Sequence, residues 1–198
     1  MVLQPQKNHV SLTKCIIAVG ANLPSAAGGV LETARVAFRL LATDAVRLGA
    51  VSRFYLTPAY PAGSGPDYVN AAAQLETSLR PAALLAHLHR IEQHLGRTRR
   101  ARWESRVLDL DLLDYGGLIL PDLATYRHWA QLSPDVQRQA TPEQLILPHP
   151  RLHERAFVLV PLMDIAPDWC HPVWGRSVAD MLEQLDPQLL EGIRRVES

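Results

Sequence analysis

The segment Arg106-Val107-Leu108-Asp109-Leu110-Asp111-Leu112-Leu113 has residue types and a spacing suited to chemistry. On a strand, side chains two apart share a face. Asp109 and Asp111 therefore point the same way, about 6–7 Å apart, away from the face of Leu108, Leu110 and Leu112. Two carboxylates on a rigid strand among apolar neighbours are costly unless paired or metal-bound. The pair suits Mg²⁺, a hard cation that takes one or two carboxylates and completes its shell with water and phosphate oxygens. The plainer alternative is an exposed strand face with two solvated aspartates.

The preceding loop shifts that balance. Arg97, Arg99, Arg100, Arg102 and Arg106 stand against the single acid Glu104, and arginine forks match phosphate oxygens. Carboxylates for a metal beside arginines for a polyphosphate are the minimum equipment for phosphoryl transfer. Alone, the loop reads equally well as a solvated or RNA-facing patch. The chain has neither G-x-x-x-x-G-K-[ST] nor G-x-G-x-x-G, so a nucleotide must be held in another way.

Downstream, His149 and Arg155 are further groups able to reach a phosphate. The prolines flanking His149 argue against a helical zinc pair with His153. His87, His89 and His94 lie along one helix, where a solvated face is the default. Tyr68 and Asn70, two apart, suit a flat heterocycle stacked on a ring and bonded at its edge. Both are also ordinary strand residues.

These groups need a scaffold. A chain of 198 residues fits one domain, and 47% hydrophobic with 20% charged residues excludes dominant disorder. Twenty Lys+Arg balance twenty Asp+Glu, which argues against a bulk nucleic-acid or membrane-surface binder. Cys15 and Cys170 lack metal or redox spacing and read as two reduced core thiols. No apolar run reaches the ~18 residues of a membrane helix or forms a signal-type segment, so the expectation is a soluble, cytoplasmic protein.

Residues 1–13 read as a loose tail and 14–198 as one domain with an insertion at about 121–144. Strands are expected at 15–19, 46–56, 69–77, 107–115 and 157–162. One helix follows Val30, Leu31, Ala34, Ala37, Phe38 and Leu41. Another opens at Pro81 with Leu84, Leu85, Leu88, Ile91 and Leu95 on one face and Gly96 as its cap. A short helix is expected near 124–131, and Ser177 is placed to cap one holding Val178, Met181, Leu182 and Leu185. Strand, helix, strand, strand, helix, strand is the order of an α+β, ferredoxin-like antiparallel sheet with helices packed on one face.

Taken together the pieces resemble the 6-hydroxymethyl-7,8-dihydropterin pyrophosphokinase family of folate biosynthesis, over about residues 15–167. The ordered set includes Gly20-Ala21-Asn22-Leu23, Phe54-Tyr55-Leu56-Thr57-Pro58, Asp67-Tyr68-Val69-Asn70-Ala71-Ala72 and Arg90-Ile91-Glu92. It continues through Gly96-Arg97-Thr98-Arg99, Arg106-Val107-Leu108-Asp109-Leu110-Asp111, Leu147-Pro148-His149-Pro150 and Pro161-Leu162.

The resemblance implies transfer of diphosphate from ATP to the pterin hydroxymethyl group, releasing AMP. Asp109 and Asp111 would hold two Mg²⁺ ions and, with Arg97 and Arg106, form the catalytic set. Glu92, His89, Arg97, Arg99, Trp103, Arg106, His149 and Arg155 would line the nucleotide side, with Leu112 and Ile146 near the adenine and Trp103 on a mobile loop. Tyr68 and Phe157 would sandwich the pterin, while Asn70 and the stretch Thr57, Pro58, Ala59 and Tyr60 bond its edge.

The chain departs from the family pattern at Glu104, where Gly or Ala is usual, at His89, where glutamine is common, and at Ala59, where a second proline is frequent. It also carries the insertion. The expected partners are the two substrates, without nucleic acid or membrane, on a monomer. The rival readings are another Mg²⁺-dependent nucleotidyl or phosphoryl transferase, and a non-catalytic ferredoxin-like nucleotide- or RNA-binding module.

Overall fold

A computed structural model describes residues 11–59, 65–96, 107–133, 136 and 140–197. Strand β1, Thr13–Ala21, buries Cys15, Ile17, Val19 and Ala21 on one face and Ile16 on the other. Burial on both faces marks a central strand. It pairs antiparallel with β4, Tyr68–Thr77, on one side and with β5, Asp109–Tyr115, on the other. The expected tail therefore gives up Thr13 to the sheet.

The strand expected over 46–56 is divided into β2, Val46–Val51, and β3, Tyr55–Thr57, both laid against β4. The β2 register slips between Leu48 and Val51. The Ser52 amide then donates to the Ala72 carbonyl, while its hydroxyl accepts from the Ala72 amide. A side chain thus takes the place of a ladder bond, and the chain bends there. With β6, Arg194–Arg195, the order is β5-β1-β4-β3-β6, and β2 also pairs with β4. This is the expected ferredoxin-like arrangement, with β5 on an edge.

Helices α1, Val30–Leu41, and α2, Pro81–His94, cover the first face. There Ala34, Phe38, Leu41, Leu84, Leu88 and Ile91 pack on Cys15, Ile17, Leu75 and Leu110. Pro81 suits the first helical position because its missing N–H has no partner there in any case. His87 does not lie on a solvated face. It is buried, with Nε2 3.1 Å from the Leu41 carbonyl, joining α2 to α1.

The second face also carries helices, which corrects the one-sided expectation. The apolar run expected as a strand over 157–162 is helix α4, Ala156–Met163. Short apolar runs do not reveal their period, and the second face decided the outcome. Ile16, Ala72 and Leu113 need cover, which Val158, Leu159 and Leu162 of α4 supply together with Val178 and Met181. The last two belong to α5, Val178–Glu183, which Ser177 opens with a reciprocal capping box to Asp180.

The stretch expected as an insertion, 121–144, contains α3, Leu123–Gln131, capped where Asp122 accepts from the Thr125 amide. Two backbone hydrogen bonds between Leu120 and Leu147 close its ends. Tyr126 is fully buried, with its hydroxyl 3.0 Å from His171 Nε2. The His171 ring stacks on Trp174 at 4.3 Å, and His153 meets the same indole edge-on at 4.0 Å. Both cysteines are free, but only Cys15 is a core thiol; Cys170 is exposed in the loop before α5. No helix among the described residues is long and apolar enough to cross a membrane.

Candidate active site

Asp109 and Asp111 stand opposite Gly20 and Ala18 of β1 and are half-buried, alternating with buried Leu110 and Leu112. They share one face, as their spacing requires. Because β5 is an edge strand, a cavity of about 530 Å³ opens beside it, a size usual for a small-molecule site. Among the residues singled out from sequence, His89, Glu92, Asp109, Asp111, Leu112, Ile146, His149 and Arg155 meet around this cavity.

Each is brought there by a definite local structure. Glu92 on α2 is almost fully buried, and its Oε1 accepts from the Leu110 amide at 2.8 Å. It thus fixes the backbone between the two aspartates, in addition to lining the cavity. The segment after Ile146 is tied to β5 by the His149 amide, which donates to the Leu113 carbonyl at 2.8 Å.

His149 Nδ1 in turn accepts from the Arg151 amide at 3.2 Å. In the neutral ring that leaves the proton on Nε2, available to a ligand oxygen. Desolvation, reinforced by Arg155 and Arg151 and opposed by Asp109, holds the His149 pKa well below the ordinary 6.5. The neutral form therefore prevails at neutral pH.

Arg155, the residue preceding α4, joins two groups. Its Nη1 lies 3.5 Å from Asp111 Oδ2, and its guanidinium lies over the Phe157 ring, 5.6 Å from the centroid. Arg151 pairs with Glu154 beside it. The donor set fits a hard divalent cation. Two carboxylates open into one cavity, and the described residues contain no group of three or more His, Cys, Asp or Glu able to hold an ion alone. Mg²⁺ needs no such cage where phosphate oxygens complete its shell.

Among the described residues, those expected to hold the pterin do not line this cavity. Asn70, buried on β4, donates from Nδ2 to Thr57 Oγ1 at 2.7 Å, joining β3 to β4 beyond the ladder. Gly20 leaves room beside it, since a Cβ there would stand 2.9 Å from Asn70 Oδ1 and force the amide to move. Thr57 and Ala59 are buried, Tyr68 is half-buried, and Pro58 and Phe157 are exposed. β3 is fastened to the end of α4 by Asp164, which accepts from the Arg53 amide and the Tyr55 hydroxyl, each at 3.0 Å, and pairs with the Arg53 guanidinium. Tyr60, Arg97, Arg99, Trp103 and Arg106 lie outside the described residues.

The cavity residues not singled out for the site from sequence include Leu85, Trp129, Arg151 and the stretch 140–145. The spacing of Tyr126 and Trp129, three apart on a helix, was the available signal for the second of these.

Fold and site together define an α+β sheet protein with an acidic pair and basic groups around a cavity at its edge strand. Residues 16–167 match the family model for 7,8-dihydro-6-hydroxymethylpterin-pyrophosphokinase. The chain is 36% identical over 189 residues to the 2-amino-4-hydroxy-6-hydroxymethyldihydropteridine pyrophosphokinase of Methylorubrum extorquens, covering 94% of this chain and 100% of that one. The Synechocystis protein of the same name is 35% identical over 183 residues, 92% of this chain and 79% of its own. The chain belongs to this pyrophosphokinase family, whose role lies in folate biosynthesis.

Solved Plasmodium falciparum HPPK-DHPS chains share the fold, one of them with a TM-score of 0.67 at 14% identity over 98% of this chain. The chain spans about half the length of those structures.

Proposed function

We propose that the chain transfers the terminal diphosphate of ATP to the hydroxymethyl oxygen of 6-hydroxymethyl-7,8-dihydropterin. The hydroxyl oxygen attacks the β-phosphorus in line, and an O–P bond forms as the bridge to the α-phosphate breaks. AMP leaves and the hydroxyl proton passes to solvent. The observation that carries this reading is the pair Asp109 and Asp111, opening on one face of β5 into the cavity that also holds His149 and Arg155.

Asp109 and Asp111 would hold two Mg²⁺ ions, which supply charge neutralisation on the phosphates and lower the pKa of the attacking hydroxyl. Arg155, 3.5 Å from Asp111, would bind the transferred group, and neutral His149 would donate from Nε2 to a phosphate oxygen. Glu92 holds the strand so that both carboxylates keep their aim. Positioning and fixed charge account for the rate, and no dedicated general base is required. Of the pterin-side set, Tyr68 and Phe157 supply the stacking faces, while Asn70 and the stretch from Thr57 through Ala59 supply the edge contacts. Arg97, Arg99, Arg106 and Trp103 complete the nucleotide side and Tyr60 the pterin side.

The test is a product assay with purified protein, ATP, Mg²⁺ and the dihydropterin, separating AMP from ADP, with arms lacking pterin or containing EDTA. Pterin-dependent AMP that disappears with EDTA is the expected result. ADP in place of AMP, or RNA binding without Mg²⁺ and no nucleotide turnover, overturns it.

A further inference from the structure

The insertion is not a remote appendage. Trp129 of α3 and residues 140–144 form part of the wall of the cavity that contains Asp109 and Asp111. Two features fix this wall to the body of the protein. The Leu120–Leu147 hydrogen bonds close the ends of the insertion directly beside His149. One turn before Trp129, Tyr126 is fully buried and meets His171 at 3.0 Å. Trp129, half-buried, therefore presents its indole from an anchored helix rather than from a free loop.

The cavity lining divides by chemistry. Asp109, Asp111, His149 and Arg155 are suited to metal and phosphate, whereas Leu85, Leu112, Leu145 and Ile146 offer only apolar surface. A nucleotide has the same division, with a charged phosphate chain at one end and a flat aromatic base at the other. An aliphatic wall gives a base dispersion but no face to stack on; an indole gives one.

We propose that Trp129 is a base-holding residue, through which the insertion takes part in ATP binding and favours a purine over a smaller pyrimidine. This rests on the reading of the cavity as the nucleotide site and adds a residue from the segment that interrupts the common fold. Glu143 and Gln144, exposed and lining the same cavity, add hydrogen-bonding groups without adding positive charge.

The test compares wild type with Trp129→Ala and Trp129→Phe, using AMP formation at saturating pterin and, separately, binding of inorganic tripolyphosphate with Mg²⁺. Loss of base–aromatic stacking is worth roughly 1–3 kcal/mol, which corresponds to about a 5- to 150-fold rise in KM for ATP. The expected result for Trp129→Ala is a rise in that range with kcat within about twofold. The preference for ATP over CTP should narrow, and tripolyphosphate affinity should stay unchanged. Trp129→Phe, which keeps a ring, should recover most of the ATP affinity.

If Trp129→Ala leaves KM for ATP unchanged while the wild type makes pterin-dependent AMP, the base-holding role is overturned and the proposed reaction stands. Equal weakening of ATP and tripolyphosphate also overturns the role, since the residue would then act on the whole cavity. A wild type that turns over no nucleotide overturns the reaction itself.

Discussion

Strand β5 carries aspartates towards both ends, and the fold uses them differently. Asp109 and Asp111 sit where the strand edge opens into the cavity, half-buried, with Arg155 at a long 3.5 Å from Asp111. Asp114 lies past a register shift that resets the alternation, so that Leu113 packs in the second cluster and Tyr115 in the first. It is only 4% exposed. Its two oxygens accept from the Gly117 amide at 3.2 and 3.3 Å, closing the turn after the strand, and it also bonds the Trp169 side chain.

Asp114 is buried on the side of the sheet that carries α4 and α5, whereas Asp109 and Asp111 stay half-buried. A carboxylate left half-buried on this sheet is open to a ligand, and one buried beneath its neighbours is not. The residue type alone does not decide this.

The sharpest way to break the comparison is to remove one carboxylate from each end. Asp111→Ala or Asp109→Ala should lower AMP formation by at least 10²–10³-fold, as expected when charge stabilisation of a transition state is lost. The circular-dichroism spectrum should remain that of the wild type. Asp114→Ala should keep turnover within about threefold. It should cost roughly 1–3 kcal/mol in urea denaturation, because the Gly117 amide loses its acceptor. Equal losses of turnover from the two ends would break the distinction.

Glu92 tests whether the open end is built or accidental. Glu92→Ala removes the acceptor of the Leu110 amide, and both kcat, by about tenfold, and stability, by roughly 1–3 kcal/mol, should fall. Glu92→Gln keeps an acceptor oxygen and should restore most of the stability. A silent Glu92→Ala would mean that the ladder to β1 suffices to aim the aspartates.

Smaller effects come from pH. Burial depresses the His171 pKa in the folded protein from the ordinary 6.5 to about 4. The stability of the neutral, Tyr126-bonded ring is therefore present in full above pH 6.5. It is lost progressively as the pH falls towards 4, because the unfolded chain takes up the proton first. Urea midpoints measured from pH 7.5 to 4 should decline, and His171→Phe should flatten the decline while lowering the value at pH 7.5.

Asp114 has the opposite sign. Burial is the largest influence on it and raises its pKa above 3.8, against the hydrogen bonds from Gly117, Trp169 and Tyr115. Its contribution is fully present below 3.8 and is lost as the pH rises through the folded value. Asp114→Asn should accordingly gain on the wild type as pH rises through that region, by the smallest margin of the set.

Much of this was legible in the sequence. Apolar spacing placed α1 and α2, and alternation along β5 fixed the common aim of Asp109 and Asp111. The break between β2 and β3 was hidden because it depends on Ser52 bonding to Ala72, a contact distant in sequence. The 156–163 run was misread because its helical form answers the exposed second face of the sheet, which no local pattern records. The cluster of Tyr126, His171 and Trp174 was invisible for the same reason: Tyr126 lies 45 residues from His171, and each member is unremarkable alone. Tyr68 and Asn70 were legible as strand residues, whereas Thr57, expected to stop the second strand, is the last residue of β3. The Asn70–Thr57 hydrogen bond was not legible.

The paired Leu120 and Leu147 have a consequence for how this chain can change over time. With its two ends already joined, the intervening stretch is an excursion whose closure cost grows only with the logarithm of its length. Residues can be gained or lost inside it while the registers of β1, β4 and β5 stay as they are. Length should therefore vary among descendants of this sequence outside α3, whose Tyr126 anchors Trp129 on the cavity wall, and the two leucines at the neck should vary least.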